Sequence, residues 1–479
     1  MSTAELTAAL TDMIRERAAD SKTPAITWAV SIHGSMIAHG RTSADGPVES
    51  AGGPSDHLRL VHRIASMTKS FTAATVLSLR DEGVLALDDP IAELAPELSA
   101  IRHPSPDAPA ITVRHLLSMA SGLATDDAWA DRHLDISHDA LTVLYNSGAT
   151  FAAIPETLFE YSNLGYSMLG RIIWRVTGLR PQQAVNERLL RPLGLVDTGW
   201  TQPTHDHWAR PHRLVGDDLT LDDEPLGDGG IAPMGGLWSS VADVTKWATW
   251  LGNAFPAGRG DGDSRVLKPA SRREMQRAHM WTGFEDVVSP DGTTRTFAGG
   301  YGFGLLVDQD PRHGTVVSHT GGLPGYGSNM RWVPDRGVVI VALGNVTYAP
   351  MEPLTTRLLD RLADLGALPS PAPEAVASPA LRHAADELVG LLSVWDDDRA
   401  RVLFADNVVA DESFARRRVT AEAHLGSGPI RITRLDAERA TRGTIHAERT
   451  DGTAVEIGVE LSPHVSPLVQ WYKFLDPPT

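Results

Sequence analysis

Ser66 and Lys69 stand three residues apart in Arg63-Ile64-Ala65-Ser66-Met67-Thr68-Lys69-Ser70-Phe71, and the apolar spacing that follows predicts a helix over Met67 to Asp81. Residues three apart on a helix share a face, so the lysine amine can reach the serine hydroxyl. A serine hydroxyl is a weak nucleophile until a base takes its proton, and a lysine can be that base if burial and neighbours lower its pKa. A helix-start serine beside a solvated lysine is the plain alternative, so other residues must decide. Tyr161-Ser162-Asn163, the one Tyr-x-Asn of the chain, precedes a helix predicted over Leu164 to Val176. A phenol, with its ordinary pKa of about 10, becomes a usable base beside an ammonium, which favours the phenolate. Asn163 can accept from Lys69 and donate to a substrate carbonyl. The third group, Ser318-His319-Thr320-Gly321-Gly322, closes a predicted strand, where glycines allow close backbone approach by a ligand.

These groups are far apart in sequence, so the fold must bring them together. Ala25 to Val30 and Ser35 to His39 read as a hairpin turning near Gly34, and a second β block runs over Gly314 to Ser318, Gly327 to Val333 and Val338 to Gly344. Between them the pattern is mostly helical: Val113 to Met119, Pro181 to Leu190, and Val241 to Leu251, with Gly83, Gly178 and Gly252 as helix stops. A helix over Pro353 to Leu365 would pack back on the sheet. The expected architecture is an α/β layer of the α+β kind, built from both chain ends around a helical insertion.

The stretch from Ala367 to Ala380 is rich in Pro, Ala and Ser and reads as a semi-rigid linker. We therefore expect a main domain over 1–366, a linker over 367–381 and a small α+β domain over 382–479. The last is helical over Leu381 to Ala405 and alternates as strands over Ile430 to Thr433, Gly443 to Glu448, Ala454 to Leu461 and Leu468 to Phe474. Its pattern is similar to the nuclear-transport-factor-like cone.

The chain of 479 residues carries 43 Lys and Arg against 60 Asp and Glu, a formal charge of -17. Such a surface repels phosphate backbones and anionic lipid, so neither nucleic acid nor a membrane is an expected partner. There are no cysteines, which excludes disulfides, thiolate metal sites and cysteine nucleophiles. No uninterrupted apolar run reaches the length of a membrane span, and the N-terminal segment is amphipathic rather than signal-like, so a cytoplasmic location is expected.

Together, and in this order, Ser66-x-x-Lys69, Tyr161-x-Asn163 and His319-Thr320-Gly321-Gly322 resemble the ordered signature of the serine β-lactamase and penicillin-binding superfamily. The chain is similar to its class C β-lactamase-like branch, with D-alanyl-D-alanine carboxypeptidases, D-aminopeptidases and esterases. Further matching segments are Leu85-Ala86-Leu87-Asp88-Asp89-Pro90, Ser121-Gly122-Leu123, Arg191-Pro192-Leu193-Gly194 and Met234-Gly235-Gly236-Leu237-Trp238-Ser239. The resemblance, over residues 5 to 365, implies a β-lactamase-like antiparallel sheet flanked by helices, with an all-α subdomain. It also implies that Ser66 is acylated, that Lys69 and Tyr161 share the proton, and that Asn163, His319, Gly321 and Gly322 bind substrate. The backbone N–H groups of Ser66 and Gly322 would form the oxyanion hole. No cofactor is implied.

His319 departs from the pattern, because β-lactamases usually carry lysine there. A histidine, neutral or partly charged at pH 7, attracts a substrate carboxylate less and can hydrogen-bond the tyrosine. The favoured reading is a serine hydrolase of carboxylic esters, small amides or short peptides, including D-amino-acid derivatives. A D-alanyl-D-alanine carboxypeptidase or weak β-lactamase is the alternative, and a non-catalytic binding protein of the same fold is the alternative of another class. No serine has the flanking glycines of a G-x-S-x-G turn, and no H-E-x-x-H occurs. His205-Asp206-His207 reads as surface loop. Trp129, Trp238, Tyr301 and Tyr326 are candidate pocket walls. The C-terminal domain is expected to act as lid, size filter or homodimerisation element.

Overall fold

The structure is a computed structural model that describes residues 3–48, 55–101, 104–204, 207–222, 226–255, 265–288, 294–371, 375–426 and 428–475. His205 and Asp206, and residues 372–374 of the expected linker, lie outside the described residues. The chain divides into two compact units, Met1–Ser370 and Pro371–Thr479.

The first unit is built on a nine-stranded antiparallel sheet. Its spatial order is Gly46–Pro47, Ser35–Ser43, Ile26–Ile32, Val338–Gly344, Tyr326–Val333, Gly314–Leu323, Leu306–Asp310, Thr294–Tyr301 and Met280–Val288. Segments from early and late in this unit meet inside the sheet, where Ile26–Ile32 pairs with Val338–Gly344. The last strand shows how both faces are buried: Val338, Ile340 and Ala342 pack with the terminal helices Thr3–Asp20 and Met351–Asp364. Val339, Val341 and Leu343 point the other way, into the core of the helical insertion. Alternate residues of a strand face opposite sides, so a strand covered twice is an unbroken apolar run. Each such side chain, fully buried, stabilises the fold by about 1.5–3 kcal/mol. The first hairpin turns at His33-Gly34, both with positive φ (49° and 80°), a backbone suited to a tight two-residue turn.

One sequence expectation is corrected. The region between the β blocks is not helical to its end: Met280–Val288, Thr294–Tyr301 and Leu306–Asp310 extend the sheet to its far edge. Met280–Val288 has only half-buried and exposed side chains, with Phe284 73% exposed, so it lacks the alternation that marks a half-buried strand. The helix does end at Gly252, but not through a left-handed glycine. It is the last residue of Val241–Gly252, and Asn253 caps it in right-handed conformation. Gly83 and Gly178 do take left-handed conformations at their helix ends, with φ of 76° and 74°.

Among the described residues, the second unit places four helices, Pro379–Ser393, Asp397–Leu403, Asp406–Asp411 and Phe414–Leu425, before a four-stranded antiparallel sheet. Ile430–Arg439, Arg442–Arg449, Ala454–Leu461 and Val469–Leu475 lie in chain order. Leu381, Leu388, Leu391, Ile445, Ile457 and Val469 form its core. This small α+β unit completes the α/β fold class.

Candidate active site

Ser66 sits in a single 3₁₀ turn, Ala65–Met67, that feeds the helix Thr68–Asp81. Ala65 is left-handed (φ 49°), a strained conformation for a non-glycine residue, and the surrounding contacts hold it there. Ser328 Oγ donates to the Ile64 carbonyl at 2.9 Å, and the Ile64 amide donates to the Leu237 carbonyl at 3.1 Å. The antiparallel pair Val61–Arg63 and Trp238–Ser240 lays the Met234 to Leu237 segment along this turn. Thr68 Oγ1 then accepts from the Leu237 amide, and Arg63 donates to the Gly236 carbonyl at 2.9 Å.

Lys69 is completely buried, and its three donors are all taken: Ser66 Oγ at 2.9 Å, Asn163 Oδ1 at 2.6 Å and the Met234 carbonyl at 2.9 Å. Burial pulls its pKa down to about 8 against the opposing charges of Asp127, Asp131 and Asp126. A neutral amine has two N–H bonds and one lone pair. Asn163 Oδ1 and the Met234 carbonyl can only accept, so the lone pair of a neutral Lys69 is left for the Ser66 O–H.

Asn163 opens the helix Asn163–Thr177, capped by Ser162, whose side chain accepts from the Gly165 amide. Asp126 accepts from the Asn163 and Leu164 amides at 2.7 and 2.8 Å, a negative charge at the positive end of the helix. Asp127 accepts from Asn163 Nδ2 at 2.6 Å, which turns Oδ1 toward Lys69. Tyr161 lines the same cavity as Ser66, and Lys69 Nζ lies 4.7 Å from the centre of its ring. Burial first, and then the charge of Asp127, push the Tyr161 phenol well above its ordinary value. The expectation of a phenolate beside the ammonium is thereby reversed: the resting phenol keeps its proton.

His319 lies inside the strand Gly314–Leu323, 2% exposed. Its Nδ1 faces the Thr320 carbonyl at 2.6 Å, and so carries the proton. Its Nε2 then accepts from the Tyr301 hydroxyl at 3.1 Å. Burial, reinforced by Lys69, lowers its pKa to about 3, so the ring is neutral. The tyrosine it bonds is Tyr301, with the Tyr161 ring centre 6.3 Å away. That corrects the expected bond to the Tyr-x-Asn tyrosine.

Gly321 and Gly322 are required by packing within the protein. A Cβ on Gly321 would stand 2.4 Å from the Ile64 carbonyl oxygen and 2.3 Å from Ser328 Oγ. A Cβ on Gly322 would stand 2.6 Å from the Tyr348 ring. Gly321→Ala must therefore push the strand off the Ser66 turn. We expect it to destabilise the fold by about 1–3 kcal/mol and to lower kcat/KM about tenfold or more, measured by thermal denaturation and initial rates.

A cavity of about 490 Å³ opens on Ser66, Tyr161, His319, Thr320 and Gly322. Lys69, Asn163 and Gly321 stand behind its wall. The remaining lining, Asp127, Ala128, Asp131, Phe159, Leu306 and Tyr348, was not singled out from the sequence. Asp126 and Asp127 do follow Ser121-Gly122-Leu123 closely, the one local signal that could have found them. The expected wall aromatics stand elsewhere. Trp238 and Tyr326 belong to a small core with Trp208 and Leu60, Tyr301 backs His319, and Trp129 lines a neighbouring groove. A larger groove of about 1250 Å³, lined by Trp174, Arg180 and Trp200, holds none of the predicted site residues. Among the described residues no cluster of three or more His, Asp or Glu could hold a metal ion, and no helix is long and apolar enough to cross a membrane.

The antiparallel sheet between helices and a serine bonded to a buried lysine, with Tyr161 beside it in the cavity, define a serine hydrolase of the β-lactamase-like superfamily. The chain belongs to the β-lactamase family, whose model, described as Beta-lactamase, matches residues 10–365. It is similar to penicillin-binding protein 4 of Amycolatopsis lactamdurans, 30% identical over 330 residues that span 67% of this chain and 80% of that one. It is also similar to esterase EstB of Burkholderia gladioli, 28% identical over 333 residues, 62% of this chain and 81% of that one. Among solved structures, the octameric penicillin-binding protein homologue from Pyrococcus abyssi shares its fold. The TM-score is 0.61 at 18% identity, over 98% of this chain and 96% of that one.

Proposed function

We propose that the protein hydrolyses carboxylic esters or small amides through an acyl-enzyme on Ser66. The observation that carries this reading is the Lys69 amine, bonded to Ser66 Oγ and to two carbonyl oxygens that cannot donate to it. Neutral Lys69 takes the Ser66 proton as Oγ attacks the substrate carbonyl. The backbone N–H groups of Ser66 and Gly322 receive the developing oxyanion. Tyr161 passes its proton to the leaving group and is restored by Lys69, so the net transfer is from serine to leaving group. Water then repeats the sequence on the acyl-enzyme. Asn163 holds Lys69, while His319 and Gly321 shape the strand wall.

The charge of the cavity favours esters and amides over β-lactams. Its described lining holds Asp127 and Asp131 and no cationic side chain, and His319 is neutral. A β-lactam or C-terminal carboxylate therefore meets a negative site with nothing to pair it. The similarity to an esterase supports the same choice, while the similarity to a penicillin-binding protein keeps slow acylation by β-lactams within the reading. We expect kcat/KM for nitrocefin to lie at least about 100-fold below that for p-nitrophenyl butyrate. Rapid nitrocefin turnover, equal to that of the ester, would defeat this reading of His319.

A further inference from the structure

Asp127 and Asp131 both border the cavity, but their surroundings differ. Asp127 is occupied in orienting Asn163. Asp131, at the end of the short helix Asp127–Ala130, is only 5% exposed, yet it lines the cavity. Its Oδ2 accepts from the Tyr348 hydroxyl at 3.1 Å, and its Oδ1 has no hydrogen-bond partner among the described residues. Tyr348 is itself left-handed (φ 54°), and its ring lies against Gly322, so it spans from the strand wall to Asp131. The cation that acts on Asp131 is Lys69, whose donors are already spent on Ser66, Asn163 and Met234. A carboxylate nineteen-twentieths buried, with one oxygen open to a ligand cavity, is a group that lacks its cation.

We infer that Asp131, held by Tyr348, pairs with a protonated amine next to the scissile carbonyl, so that the enzyme prefers α-amino acyl esters and amides. This rests on the serine-hydrolase reading above and names the substrate class of the same cavity. Burial, and then Asp127, push the Asp131 carboxyl up to about 7, a cost that a bound ammonium offsets by adding an opposite charge in a dry site. The pair discriminates by charge: an N-acylated substrate leaves Oδ1 unpaired, and an anionic one is repelled.

The test compares alanine p-nitroanilide, as each enantiomer, with its N-acetyl derivative. For the better enantiomer, the free amine should give a kcat/KM at least tenfold higher than the N-acetyl compound, and Asp131→Asn should cut that ratio at least tenfold. A second measurement needs no variant: n-butylammonium should inhibit p-nitrophenyl butyrate hydrolysis competitively, and butyrate should not at the same concentration. A ratio of one or less, or butyrate inhibiting as well as the amine, overturns the inference while Ser66 acylation by the ester leaves the hydrolase reading standing. If no substrate acylates Ser66, both fall together.

Discussion

Ser66→Ala is expected to lower p-nitrophenyl butyrate turnover by on the order of 10³-fold or more, leaving only the rate that binding and polarisation of the carbonyl can supply. The fold should be little affected. Ser66 Oγ is one of three acceptors around Lys69, and the amine keeps Asn163 Oδ1 and the Met234 carbonyl when it is gone. Losing one such bond costs about 1–2 kcal/mol. A rate loss out of proportion to the change in Tm is thus the mark of a nucleophile. A parallel fall in both would mean that Ser66 is structural.

Lys69→Met should be equally severe in rate, and here the pH dependence is diagnostic. With the Lys69 pKa at about 8, the neutral amine that accepts the serine proton is depleted as pH falls below that value. Wild-type kcat/KM should therefore rise with pH and level off above about 8, and this rising limb should vanish with the residual activity of Lys69→Met. Tyr161 adds no falling limb below pH 10, because its phenol is held protonated well above its ordinary value. The change in stability is expected to lie between about 1 kcal/mol gained and about 3 kcal/mol lost. Holding the ammonium in its dry site costs about 3 kcal/mol relative to water, and its removal relieves that cost. It also leaves two buried carbonyl oxygens unpaired, at about 1–3 kcal/mol each. A rate unaffected by the substitution, or a pH profile flat from 6 to 9 in the wild type, would remove Lys69 from the role of base.

Much of this site was legible because its geometry is local. Ser66 and Lys69 are juxtaposed by three residues of helix, and Asn163 is fixed by the helix start that Ser162 caps. The central strands could be read from their apolar runs and from the His33-Gly34 turn. What escaped depends on packing between distant segments. Asp131 and Tyr348 meet across 217 residues, one from a four-residue helix and the other from a short link after a strand. Nothing in either neighbourhood announces the partner. The glycines of the third motif were read as room for a ligand, whereas Ile64, Ser328 and Tyr348 fill the space where their side chains would stand. The direction of the Tyr161 shift depends on burial and on Asp127, neither of which a motif displays. The edge strands were missed for the opposite reason, since an exposed strand carries no hydrophobic period to detect.

The central claim is that Ser66 becomes covalently acylated, and it is tested most directly by mass spectrometry of the protein treated with a fluorophosphonate probe and digested with trypsin. Cleavage after Arg63 and Lys69 releases the short peptide Ile64-Ala65-Ser66-Met67-Thr68-Lys69. The probe mass is expected on this peptide, with its appearance tracking the loss of esterase activity, and is expected to be absent from Ser66→Ala. Esterase activity that persists with this peptide unlabelled, or a probe mass carried by another serine as activity disappears, would contradict that claim.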